Sequence, residues 1–176
     1  TAYRRQRQMC IRDSAYTGLR RAELLGLRWS DISFREEFLK VNQVLARAKQ
    51  GLTFQTPKTK KSNRKIMLDT VTLQYLMKWK TEQKRLILEL GQIHKKDQQL
   101  VFTSAQNDNM SLETPNKILS RILKNNDLPH MTIHGFRHTH CSLLFEAGVD
   151  MNDVKDRLGH SSITTTMNIY AHVNQK

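Results

Sequence analysis

The spacing of the apolar residues changes twice along this chain, from helical to alternating and back, and this limits what it can fold into. Thr17-Gly18 reads as a helix start, with Thr17 as cap and Ala22, Leu24, Leu25 and Leu27 on the turns that follow. Between Phe38 and Leu68 the period shortens. Residues 38–45 and 52–56 read as strands around a turn at Gln50-Gly51, and 64–68 as a third strand after a polar turn over 58–63. From Asp69 the texture is helical again. A long helix runs to about Leu90 and stops at Gly91, Thr114-Pro115 opens another, and a third runs from Thr132 to Ala147 before Gly148. A short helix follows from Asp150 to Leu158-Gly159, and Ser161 or Ser162 starts the last. The expected fold is α+β, mainly α: a helical domain with one small three-stranded antiparallel sheet inserted.

A chain of 176 residues suits one domain. With 38% hydrophobic and 26% charged residues it has material for a core, and no apolar run of about 18 residues predicts a membrane span. Residues 1–13 carry Arg4, Arg5, Arg7 and Arg12 with no apolar stretch behind them, so no signal peptide is read there. This polar, aperiodic stretch is expected to be poorly ordered or a non-native extension, with the domain proper at 14–176. Without an initiator Met, the chain is expected to be a fragment. Cys10 and Cys141 have no Cys-x-x-Cys spacing, which favours a reducing, cytoplasmic setting over disulfides or a thiolate zinc site.

Charge gives the first functional clue. Lys and Arg number 29 against 16 Asp and Glu, a formal charge of +13. So basic a domain calls for a polyanionic partner, with nucleic acid ahead of an anionic membrane surface because no basic amphipathic helix with an aromatic face stands out.

Four segments could carry chemistry. On a helix, His134, Arg137, His138 and Cys141 fall at i, i+3, i+4 and i+7, one face. Imidazoles and a guanidinium make poor core but a good phosphate surface. A zinc pair at His134 and His138 is disfavoured: Gly135 stands where a metalloprotease helix has Glu, and Arg137 adds positive charge beside the ion. Three exposed helix histidines are the plainer alternative. His160 precedes a helix start, where free N–H groups favour an anion, and Tyr170 lies ten residues on; alone, Tyr170 would count as a packing residue. Arg20 falls in a first helical turn, against the dipole, and the basic turn from Lys58 through Lys60, Lys61 and Arg64 could lie along a DNA backbone.

In order and spacing, Thr17-Gly18-Leu19-Arg20-x-x-Glu23-Leu24, a hairpin lysine, His134-x-x-Arg137-His138, Leu158-Gly159-His160 and Tyr170 resemble the tyrosine recombinase (phage integrase) family over about 15–173. Residues 133–173 are especially similar to integrases of phages and conjugative transposons. The resemblance implies roles. Tyr170 would be the nucleophile, forming a 3′-phosphotyrosyl link, with Arg20 and Arg137 clamping the phosphate. His134 would be the proton acceptor, His160 a phosphate ligand and Lys58 the general acid, although Lys60 and Lys61 share its turn. Arg20, Lys58, Lys60, Lys61, Arg64, Arg137 and His138 would contact DNA. Glu23 is read as structural or orienting, with a surface Glu paired along its own helix as the alternative. A free tyrosine has a pKa near 10, so surrounding cations are what would favour its phenolate and stabilise the transition state, with no metal or other cofactor implied.

The implied partner is double-stranded DNA, held in a synaptic homotetramer, with the free chain monomeric. The implied function is integration or excision of a mobile element. Type IB topoisomerase chemistry and a non-catalytic DNA-binding protein are the competing readings. The resemblance also implies a separate DNA-binding domain ahead of the catalytic one, which is not expected within residues 1–176.

Overall fold

A computed structural model describes residues 2–57 and 62–173, with the side chains of 6, 9–57, 62–169 and 171. Seven helices and five short strands follow in the order α1 (Ala2–Thr17), α2 (Arg21–Gly26), β1 (Ile32–Ser33), β2 (Phe38–Val41), β3 (Val44–Ala48), β4 (Gly51–Gln55), β5 (Arg64–Met67), α3 (Thr70–Glu89), α4 (Thr114–Asn125), α5 (Ile133–Glu146), α6 (Met151–Leu158) and α7 (Ile163–Val173). The mainly α architecture is the one expected.

The sheet differs in detail. The strand expected over 38–45 is two strands, and the three-stranded antiparallel sheet is β1-β2-β5, with β3-β4 a separate hairpin. Asn42 and Gln43 make the break: Asn42 Nδ2 donates to Asp31 Oδ1 at 2.8 Å and Gln43 Nε2 to the Gly26 carbonyl at 2.6 Å. These side-chain bonds tie the chain to the segment after α2, and pairing resumes with a different partner.

Where poor order or a non-native extension is expected over 1–13, the described residues Ala2–Thr17 form a helix. Gln6, Met9, Cys10, Asp13, Ser14 and Thr17 are all buried, at i, i+3, i+4, i+7, i+8 and i+11, one helical face. Four of those six are polar, so no apolar stripe marks the helix in the sequence. Thr17 ends α1 instead of capping the next helix, and its hydroxyl donates back to the Asp13 carbonyl.

Leu24, Leu25, Leu39, Leu45, Ile66, Leu76, Val101 and Phe102 form the main core with Met9 and Cys10 of α1. Trp79 Nε1 donates to the Val101 carbonyl at 2.8 Å, fixing α3 against a buried segment after it. A second, smaller core joins α5, α6 and α7 through Cys141, Val154, Leu158 and Ile169. The groups gathered for chemistry lie between these cores.

Candidate active site

The site is built on the C-terminal end of α6. Asp150 caps this helix, accepting from the Asn152 N–H, and Gly159 closes it in the left-handed conformation at φ +67. The last carbonyls of a helix need donors from elsewhere. Those of Asp156 and Lys155 accept from the backbone N–H groups of Gly159 and His160, at 3.1 and 3.0 Å. The next three are taken by three arginines. The Arg157 carbonyl accepts from Arg64 Nε at 2.6 Å, that of Leu158 from Arg137 Nη2 at 2.6 Å, and that of Gly159 from Arg20 Nη2 at 2.9 Å. The negative end of the helix dipole thus draws three cations to one turn.

Each arginine reaches that turn from a different element. Arg137, on α5, is 2% exposed and also donates to the Gly18 carbonyl at 2.6 Å. Gly18 sits at φ +64 between α1 and α2, and a Cβ there would come within 2.7 Å of Leu158 and 2.8 Å of His140. Arg20 is the N-cap of α2, one position before the helical turn expected for it. Glu23 performs the capping: its Oε2 accepts from the Arg20 N–H at 2.8 Å and its Oε1 from Arg20 Nη1 at 2.9 Å.

Arg64, expected on the DNA-facing turn, points inward. It occupies the first position of β5, where Arg64 and Ile66 are buried while Lys65 and Met67 face out. Its guanidinium donates to both oxygens of the buried Glu23, at 2.9 and 3.0 Å. Glu23 is therefore the shared anion of two arginines, not a surface partner along its own helix. Burial works to raise its pKa, but the bonds and charges of Arg64 and Arg20 outweigh burial and hold it below the ordinary value.

The histidines divide. Thr132 caps α5 by accepting from the Gly135 N–H at 3.0 Å, and on that helix Arg137 and Cys141 turn inward while His134 and His138 stay exposed. The rings of those two histidines meet edge to face with centroids 4.6 Å apart. Burial, then the charges of His138, Arg137 and Arg20, lower the pKa of His134. His160 is buried, with Thr166 Oγ1 2.9 Å from its Nδ1, and burial followed by the Arg137, Arg20, Arg64 and His138 charges lowers it to about 4. Its own backbone N–H donates to the Lys155 carbonyl at 3.0 Å, and α7, the helix expected to start just after it, begins at Ile163.

Tyr170 lies on α7 four residues after Thr166, one helical turn from the residue that meets His160. Its side chain lies outside the described part of the structure, as do Lys58, Lys60 and Lys61 altogether. Sequence reasoning missed Thr166 and His140. His140 Nε2 accepts from Arg157 Nε at 3.2 Å and locks α5 to α6. Its pKa is lowered to about 4 by burial and by the Arg157 and Arg137 charges.

Arg137 is itself lowered to about 9, first by burial and next by Arg20, as befits a cation short of negative neighbours. Among the described residues no three His, Cys, Asp or Glu side chains gather as metal ligands would. The cluster is thus suited to an oxyanion held by guanidinium and imidazole donors.

The phage integrase family model matches residues 4–176. The chain belongs to the phage integrase family. Among its relatives is a XerC-like tyrosine recombinase of Caldanaerobacter subterraneus subsp. tengcongensis, 33% identical over an alignment of 171 residues that covers 91% of this chain and 44% of that protein. The ICEBs1 integrase of Bacillus subtilis is 34% identical over 160 residues, covering 89% and 42%. Among solved structures, the Tn1549 transposon integrase in complex with transposon right end DNA superposes with a TM-score of 0.72 at 27% identity, over 92% of this chain and 53% of that one. This phage integrase domain thus spans less than half the length of these two relatives. No described helix is long and apolar enough to cross a membrane.

Proposed function

We propose that this domain cleaves and rejoins DNA strands at specific sites, integrating or excising a mobile element through a 3′-phosphotyrosyl intermediate on Tyr170. The observation that carries the proposal is the α6 turn, which fixes Arg20 and Arg137 side by side next to His160. The two guanidiniums clamp the non-bridging oxygens of one backbone phosphate and His160 donates to it. His134 takes the phenol proton, the Tyr170 oxygen bonds to phosphorus, and the bond from phosphorus to the 5′-oxygen breaks. Lys58 returns a proton to that oxygen, with Lys60 and Lys61 sharing the turn. The sequence reverses when a new 5′-hydroxyl attacks, so no nucleotide cofactor is consumed. His138, whose ring meets that of His134, contacts the neighbouring DNA backbone. Double-stranded DNA is the substrate, the working assembly is a synaptic homotetramer, and the setting is cytoplasmic.

The test is a nicked suicide duplex incubated with the chain. A covalent protein–DNA adduct, lost in Tyr170→Phe, supports the proposal. DNA binding without an adduct would leave a non-catalytic DNA-binding domain instead.

A further inference from the structure

The basic stretch of sequence over 58–64 draws attention to cations suited to DNA, yet its one arginine is built into the interior. Arg64 is only 9% exposed, and it touches both supports of the phosphate clamp. Toward α2 it grips the two oxygens of Glu23, whose Oε1 also orients Arg20. Toward α6 it holds the Arg157 carbonyl, two residues before Gly159, whose own carbonyl orients the far side of Arg20.

The contact with Gly159 is close. A Cβ at that position would lie 2.9 Å from Arg64 Nη1 and 3.1 Å from its Cδ and Cζ. The guanidinium therefore lies against bare backbone at the turn that leads directly to His160. A further bond, from Nη1 to the Ser62 carbonyl at 3.2 Å, ties it to the chain two residues before it.

We propose that Arg64 is a positioning residue for the strand-transfer reaction: it fixes Glu23 and the α6 turn so that Arg20 and His160 face the phosphate, without itself touching DNA. The inference rests on the function proposed above. The physical case is one of competition. The Glu23 carboxylate has two cationic claimants, and Arg64 takes one bond on each oxygen. Without Arg64, Arg20 is the remaining partner for a buried carboxylate and is pulled toward it, away from the phosphate. A misplacement of about 1 Å in such a clamp is enough to cost on the order of 100-fold in rate. Lysine cannot replace the planar fork that serves a carboxylate and a carbonyl together.

The experiment compares single-turnover cleavage of the nicked duplex by the wild-type chain, Tyr170→Phe, Arg64→Lys, Arg64→Met and the double variant Arg64→Met with Glu23→Leu. Thermal melting and DNA affinity across a salt series are measured alongside. Arg64→Met is expected to lose about 100-fold in cleavage and Arg64→Lys about 10-fold. The slope of affinity against salt is expected to stay at the wild-type value, because no phosphate contact has been removed. The double variant replaces the buried pair with apolar groups and is expected to regain melting temperature but not cleavage. Recovery of cleavage along with stability would reduce Arg64 to a structural part and overturn the proposal. So would a salt slope shallower by about one unit in Arg64→Met, the mark of a lost phosphate contact. Wild-type cleavage with an unimpaired Arg64→Met would overturn this inference alone, whereas no wild-type adduct would overturn the proposed function and this inference with it.

Discussion

Glu23 and Arg64 form a two-pronged ion pair, 2.9 and 3.0 Å, between side chains that are 2% and 7% exposed. A pair this deep stabilises little relative to apolar residues of the same shape, but breaking one half of it is costly. Glu23→Gln leaves Arg64 charged and buried and is expected to destabilise the fold by about 3–5 kcal/mol. The pH dependence has a definite sign. The folded pKa lies below the ordinary 4.5, so the contribution of Glu23 is present above that value and is lost as pH falls through the folded one. Urea unfolding of wild type and Glu23→Gln at pH 7 and pH 3 checks both points: the gap between them narrows in acid.

Gly159 is held at φ +67 with the Arg64 side chain against it. Gly159→Ala is expected to cost about 1–2 kcal/mol from the left-handed backbone alone. Displacement of Arg64 adds to this, so cleavage falls by more than the loss of folded protein explains. Melting curves and single-turnover rates on one preparation separate the two effects.

Asp13 is buried in α1, and neither carboxylate oxygen has a hydrogen-bond partner among the described residues. Burial, opposed by Arg12 and aided by Asp69, raises its pKa from 3.8 to about 8. The unfolded chain sheds this proton near 3.8 while the folded one keeps it, so the penalty on folding grows as pH rises between those values. Asp13→Ala is therefore expected to stabilise by about 1–3 kcal/mol at pH 7 and by little at pH 4, as read from denaturant midpoints.

His140 and His160 are both lowered to about 4. Between pH 6.5 and that value the unfolded chain takes up protons that the folded chain refuses, so stability declines as pH falls through the window. On the proposed function, a phosphate in the clamp would oppose this at His160 by offsetting the surrounding cations. An NMR titration is expected to show the His160 pKa rising when duplex DNA is added while that of His140 stays put. An unmoved His160 would remove it from the phosphate site.

Much of this was legible in the sequence because it is local. Caps at Asp69, Thr132 and Asp150 and stops at Gly148 and Gly159 fix α3, α5 and α6 within a few residues. What escaped depends on partners far along the chain. Nothing near Asn42 announces that its side chain will leave the strand for Asp31. Helix α1 was hidden because Gln6, Asp13 and Ser14 occupy positions where a core stripe is normally apolar. Arg64 was legible and missed: strand alternation puts it on the face of Ile66, but it stands at the end of a lysine-rich run of sequence and was grouped with it.

The three arginines on the α6 turn come from residues 20, 64 and 137, which meet only when the last third of the chain has docked. On the proposed function, competence to grip a phosphate would then be a test of finished folding. A nascent or partly unravelled molecule still carries the three guanidiniums, but their common anchor is missing. Under that proposal it would hold DNA without the geometry to cut it, and strand cleavage would wait until the fold is complete.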